Sequence, residues 1–198
     1  MSHKNIYNPI MSLFSLIQLV YWLSLSTWFG GVLFVAMAAP IIFRVVREQQ
    51  PVLPLVLSVN LENQHADLLA GTIVWSVLAA VGRMELACAG GVLIGLIGQW
   101  ALAGRGATSA LIIRSILFLG ATLMVIYDWR IVWPRIDRHR KEYLEHADEP
   151  ELANAAKEQF DRYHRESVNV LSIVLLFLLG LILFSGGISS EVTVSFRK

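Results

Sequence analysis

A run of 39 residues without a single Asp, Glu, Lys or Arg, from Asn5 to Phe43, constrains this chain more than any other feature. A helix at the surface of a soluble protein needs a polar face, and this stretch has almost nothing to offer water. A helix through bilayer hydrocarbon needs roughly 20 apolar residues, because no backbone group can be left unpaired in lipid. By that measure four spans are expected, at residues 13–43, 84–104, 107–133 and 167–188. Composition agrees: 56% of residues are hydrophobic and 16% charged, against roughly 25% charged in a soluble domain. The first run is much longer than a signal-peptide core and is expected to be retained.

Between the first two spans lies another uncharged run, residues 68–82, whose 15 residues are short for a full crossing. An interfacial or re-entrant helix at about 67–82 is the expectation, with a fifth span or one long bent helix as alternatives. Pro51, Pro54 and Asn60 mark the loop before it. The third span is expected to continue into a solvated helix, where Asp137 with Lys141, Arg138 with Glu142, and Lys141 with Glu145 stand four apart. Pro134 is expected to kink that helix. At the following turn Asp148 and Glu151 have capping-box spacing, and Pro150 suits a first helical turn leading toward the fourth span. The expected fold is therefore all-α: one integral membrane domain over residues 1–198, a polytopic four-helix bundle with an extra interfacial or re-entrant helix and a charged cytoplasmic helical hairpin at about 130–166.

Orientation follows from Lys and Arg near the span ends. The loops after spans one and three hold eleven such residues, from Arg44 to Arg165, against Lys4, Arg105, Arg197 and Lys198 on the other side, with Arg114 reaching toward them. Both termini are thus expected outside the cytoplasm, and a bacterial inner (cytoplasmic) membrane is the expected location.

Several side chains invite a functional reading. In the first span Ser15, Gln18, Trp22, Ser26 and Gly30 form a mildly polar stripe, expected to face other helices through hydrogen bonds and close packing. In the second, Ala87, Gly91 and Gly95 repeat every four residues, with Gly90 and Gly98 beside them, and make a smooth face for a neighbouring backbone, a dimer seam or a flat cofactor. Arg114 is the one charge well inside a span; it either snorkels to the interface or meets Glu85, Gln99 or an anionic ligand group. His65 and His164 sit at the entries of hydrophobic helices and are the candidate ligand-binding histidines, whereas His3, His139 and His146 read as surface residues. The expected place of His164 is a hydrogen bond to a carbonyl or to Asp128, with Asp161 and Arg165 paired along the helix.

Other chemistry finds no footing. Cys88 is the single cysteine, so neither an internal disulfide nor a cysteine-based zinc site can form. There is no phosphate-binding Gly-rich loop followed by Lys, no His-Glu-x-x-His helix and no nucleophile-base arrangement. The basic residues of the hairpin alternate with as many acids, which argues against nucleic acid.

Three segments together resemble the transmembrane protein 205 family, also catalogued as domain of unknown function 4149. They are Leu23-Ser24-Leu25-Ser26-Thr27-Trp28-Phe29-Gly30-Gly31 continuing to Ala39-Pro40-Ile41-Ile42-Phe43, then Trp133-Pro134-Arg135, then Phe160-Asp161-Arg162-Tyr163-His164 with Ser167 and Asn169 beyond. The resemblance covers the chain from Leu16 to Phe184 and implies a small polytopic membrane protein rather than an enzyme, with eukaryotic members linked to platinum-drug resistance and trafficking. The Trp-x-Gly-Gly first helix also looks like that of the copper-resistance D proteins and the membrane protoporphyrinogen oxidase, in which an upstream histidine serves haem or metal. The matching position here is Tyr21, which speaks against a histidine-ligated site of that kind.

The functional expectation is a non-enzymatic membrane protein with no catalytic residues and no metal site. It is either a small transporter-like bundle or an accessory subunit of a larger membrane complex or homo-oligomer, and its certain partner is the lipid bilayer. No cofactor is expected; the competing reading is a haem- or metal-binding redox protein, or one holding a pigment, through His65 or His164. The charge asymmetry makes a direct prediction. A cysteine introduced at Glu149 in a Cys88→Ser background should react with a membrane-impermeant maleimide only after the cells are opened; labelling in intact cells reverses the topology.

Overall fold

Four long helical rods make up the structure, a computed structural model that describes residues 9–52, 65–103, 109–146 and 149–186. The helices are α1 (Pro9–Glu48), α2 (His65–Ala103), α3 (Ser109–Tyr127), α4 (Trp133–Glu145) and α5 (Pro150–Ser185). A π-helical turn, Asp128–Val132, joins α3 and α4 into one rod. All four rods, of 36 to 40 residues, are long and apolar enough to cross a membrane. At 1.5 Å per residue such rods are roughly 54–60 Å long, against about 30 Å of hydrocarbon, so each has turns to spare beyond it. The Asp148 cap, the loop markers Pro54 and Asn60, and the outer ends of the second, third and fourth expected spans lie outside the described residues.

α1 packs mainly on α2, and the α3–α4 rod mainly on α5; narrower α1–α5 and α2–α3 contacts join the two pairs. The buried residues of α1, namely Tyr21, Leu25, Trp28, Val32 and Val35, alternate spacings of four and three. Glu85, Cys88, Val92 and Gln99 on α2 and Ser167, Val170, Val174, Leu178, Leu181 and Ser185 on α5 keep a closely related rhythm. A repeat near 3.5 of this kind keeps one stripe of each helix turned toward its neighbours.

Polarity is inverted relative to a water-soluble bundle. Glu85, Gln99, Arg114, Asp128, Ser167 and Ser185 are buried, whereas Leu16, Phe34, Met37, Ile97, Ile116, Leu176 and Leu183 are more than half exposed. In water that exterior would be an association liability, while in lipid it is the natural solvent-facing surface.

Three expectations change. Residues 67–82 are not a separate interfacial helix, because α2 runs unbroken through them. Gly82 does not interrupt the helix, and Arg83, on the exposed side, turns its Nε back to the Ala79 carbonyl at 3.1 Å. The polar stripe of α1 is a packing face only in part: Gln18 and Trp22 are half-buried, with Trp22 against the core. Ser15, Ser26 and Gly30 are exposed, and the true seam, centred on Tyr21, Leu25 and Trp28, lies roughly 100° around the helix. Serine hydroxyls can bond the carbonyl one turn back, so they mark a helix interface less well than large side chains do. Of the small residues on α2, Ala87 and Gly90 are exposed, while Gly91, Gly95 and Gly98 face α1.

The π-turn has a clear local cause. Proline lacks an N–H and its ring crowds the carbonyl four residues back. For Pro134 that is Arg130, and the ladder is widened just there, with the Trp133 N–H reaching the Asp128 carbonyl five residues back. The kink expected at Pro134 thus takes the form of a widened turn, a feature frequent at functional sites.

Glycine is required where the backbones of α1 and α2 come closest. A Cβ on Gly95 would sit 2.6 Å from the Tyr21 Cβ, and one on Gly91 would collide with the Ser24 side chain. Tyr21 Cβ is fixed to its own helix, so the helices themselves must move apart. Gly95→Ala should therefore destabilise the protein by about 1–3 kcal/mol, the usual cost of overpacking, whereas Gly90→Ala, in open space, should not. Thermal unfolding in mild detergent tests the contrast, and equal melting temperatures for the two variants would refute the close approach.

Candidate functional site

The two helix pairs part around a cavity of about 490 Å³, within the roughly 300–1,000 Å³ typical of small-molecule sites. Its walls come from every rod: Val32 to Phe43 on α1, Gly71 to Glu85 on α2, Val125 to Arg140 along α3 and α4, and Phe160 to Leu175 on α5. Most of the lining is apolar, including Val35, Leu78, Leu171 and the rings of Phe43, Trp75, Trp129, Trp133 and Phe160. Trp75 and Trp133 stack across the gap between α2 and α4, ring centroids 4.2 Å apart.

Two carboxyl groups open onto this cavity, Glu85 from α2 and Asp128 from the π-turn, 5% and 8% exposed. Glu85 accepts the indole N–H of Trp28 at 3.1 Å, a bond that ties α2 to α1. Ser167 of α5 lines the cavity near Asp128. The Asp128 Oδ1 atom is buried and finds no donor among the described residues. Neither carboxyl group forms an ion pair within that set. Burying a carboxyl group without a full complement of donors or a cation is costly, and such groups in membrane interiors mark binding or ion sites by default.

The cations that line the cavity are held elsewhere. Arg140 donates to Thr72 Oγ1 at 2.7 Å with its guanidinium over the Trp75 ring, and Arg83 is turned to its own helix. His164 also lines the cavity, but it stacks on Phe160, one turn earlier, with ring centroids 5.9 Å apart. Among the described residues no hydrogen bond joins His164 to Asp128. His65, buried at the start of α2, is not part of the lining. The structure does not bring the two histidines together, and among the described residues no three His, Cys, Asp or Glu side chains converge as a metal site.

A second polar layer crosses the bundle nearer the other end, with one contribution from each rod. Arg114 is 1% exposed and does not snorkel: its Nη1 donates to Gln99 Oε1 at 3.0 Å and its Nε to the Ala110 carbonyl at 3.2 Å. Of the partners considered for it, the structure selects Gln99. Tyr21, fully buried, lies 2.6 Å from Ser185 Oγ, and Ser185 donates onward to the Leu181 carbonyl. Since the serine proton is committed, the tyrosine is the donor of the pair. Gln18, in the α1 seam, has both amide atoms buried without a partner among the described residues. Between this layer and the cavity stand the core side chains Leu25, Val92, Val174 and Leu178.

Sequence reasoning weighed Glu85 and Asp128 only as partners for other residues and passed over Trp28, Trp75 and Ser167 as site residues. The signal that finds them is the seam: position 85 stands one step of three before Cys88, and 128 one step of three beyond Val125. No family model, no curated protein and no solved structure matches this chain.

The Trp28–Glu85 bond supplies the test of this geometry. Trp28→Phe and Glu85→Leu should each lower stability, and the double variant should lose less than their sum. The difference should be about 0.5–3 kcal/mol, the span from neutral to charged hydrogen-bond acceptors. Thermal melts of the four proteins provide the measurement, and strict additivity would show that the pair does not interact.

Proposed function

We propose that this chain is a non-enzymatic integral membrane protein that takes a small, mainly apolar molecule into the cavity between its helix pairs, in the manner of a small transporter-like bundle. The carrying observation is the cavity itself, ring-lined and about 490 Å³ in volume, built from all four rods. A protein that served only as a structural subunit would gain stability by closing such a space, since unfilled volume costs packing energy. The resemblance to the transmembrane protein 205 family, whose members are small polytopic proteins without an assigned reaction, fits this reading. In our reading the chain sits in a bacterial inner membrane with α4 and the first half of α5 forming a charged cytoplasmic hairpin. The Lys and Arg asymmetry supports that orientation.

Gly71 lines the cavity, and a side chain there would meet nothing within 4 Å of its Cβ, so Gly71→Phe should fill the space without straining the fold. Wild-type protein in lipid nanodiscs should show saturable energy transfer from tryptophan to the neutral fluorophore N-phenyl-1-naphthylamine, above the level of empty discs. Gly71→Phe should abolish the saturable component and keep the wild-type melting temperature. An absent saturable component in the wild type, or an equal one in the variant, would refute the binding reading.

A further inference from the structure

Resting on that reading, we propose that the cavity selects lipophilic monocations: molecules whose apolar arms lie against the tryptophan and phenylalanine rings while the positive centre is held by Glu85 and Asp128. The argument begins with charge. Both carboxyl groups are more than nine-tenths buried, both line the cavity, and neither is paired with a cation of the described residues. One oxygen of Asp128 lacks any donor among them, and the Trp28 indole supplies Glu85 with a single N–H. A neutral apolar guest would leave that carboxyl oxygen as it is. An anionic guest would add like charge in a low-dielectric space, where repulsion is poorly screened.

The rest of the lining favours the same class. Aromatic faces attract cations through their negative quadrupole; Phe43, Trp129 and Trp75 already carry the guanidinium groups of Arg47, Arg130 and Arg140, and Trp133 and Phe160 complete the ring-lined wall. The positive side chains do not compete for the carboxyl groups. Arg140 is bonded to Thr72 and stacked over Trp75, Arg83 is bonded to the Ala79 carbonyl, and the His164 ring lies on Phe160. Ser167 is a neutral hydroxyl on the same wall, so the preference for positive charge rests with the acids.

A pair of probes of equal shape and opposite charge tests this. Equilibrium dialysis of tetraphenylphosphonium and of tetraphenylborate against protein in nanodiscs, with empty discs subtracted, should show saturable binding of the phosphonium alone. Glu85→Gln and Asp128→Asn keep size and hydrogen-bonding ability. Each should weaken phosphonium binding about tenfold, equivalent to 1.4 kcal/mol. Far-ultraviolet circular dichroism of each variant in the same discs reports that it is folded. Saturable neutral binding in the wild type with no preference for phosphonium over borate would overturn the charge selection and leave the cavity reading intact. If neither the neutral probe nor the phosphonium binds, both fall together. A phosphonium preference that both folded variants keep would overturn the part given to Glu85 and Asp128, and the wild-type comparison stands whether or not a variant folds.

Discussion

Hydrocarbon offers no hydrogen bonds, so in a bundle with this apolar exterior a polar side chain is best stabilised by a partner inside the protein, and three such bonds join the rods. Trp28 with Glu85 joins α1 to α2, Arg114 with Gln99 joins α3 to α2, and Tyr21 with Ser185 joins α1 to α5. Apolar side chains cannot fix the order of helices in lipid, where Leu against Leu is little better than Leu against a lipid tail. These bonds can, because each is directional and each would be expensive to break in place. The glycines of α2 serve the same end by letting the two backbones approach closely enough for the Trp28 indole to reach Glu85.

The cavity depends on a second backbone property, the loss of regular hydrogen bonding at proline. Pro40 lies inside α1 and lines the cavity together with Ala36, whose carbonyl has no helical donor as a result. Pro134 stands just after the π-turn that carries Asp128 and Trp129 into the lining. One proline thus interrupts the ladder of each helix pair, both at the level of the same space. The cavity is the part of the molecule where ring faces and unpaired acids replace close packing.

Beyond the cavity the rods continue as a charged assembly of different character. α4 and the first half of α5 meet through Tyr143, Ala153 and Ala156, with Leu68 of α2 against them. Lys141 pairs with Asp137 at 2.7 Å, and Glu142 takes His139 in place of the Arg138 expected from spacing. Arg47 and Asp67, 2.6 Å apart, tie the ends of α1 and α2 together. Exposed pairs of this kind contribute little against solvent screening, so this end is held by its small apolar contact and by continuity with the bundle.

The number and class of the helices were legible in the sequence because they follow from run length and hydropathy, local quantities that a bilayer reads directly. The 39 charge-free residues of the first run and the small residues at 91 and 95 needed no tertiary information. Which side of each helix turned inward did need it. Ser26 and Ala87 look like interface residues and are exposed, while Trp28 and Glu85 are brought together from 57 positions apart. Rotation of a helix about its axis is fixed by what the neighbouring helices present, and no local pattern carries that information when both faces are apolar. For the same reason the break expected near residue 82 proved to be continuous helix. Asp128 reads in the chain as a charge at the end of a span; only the fold makes it a buried acid facing a cavity.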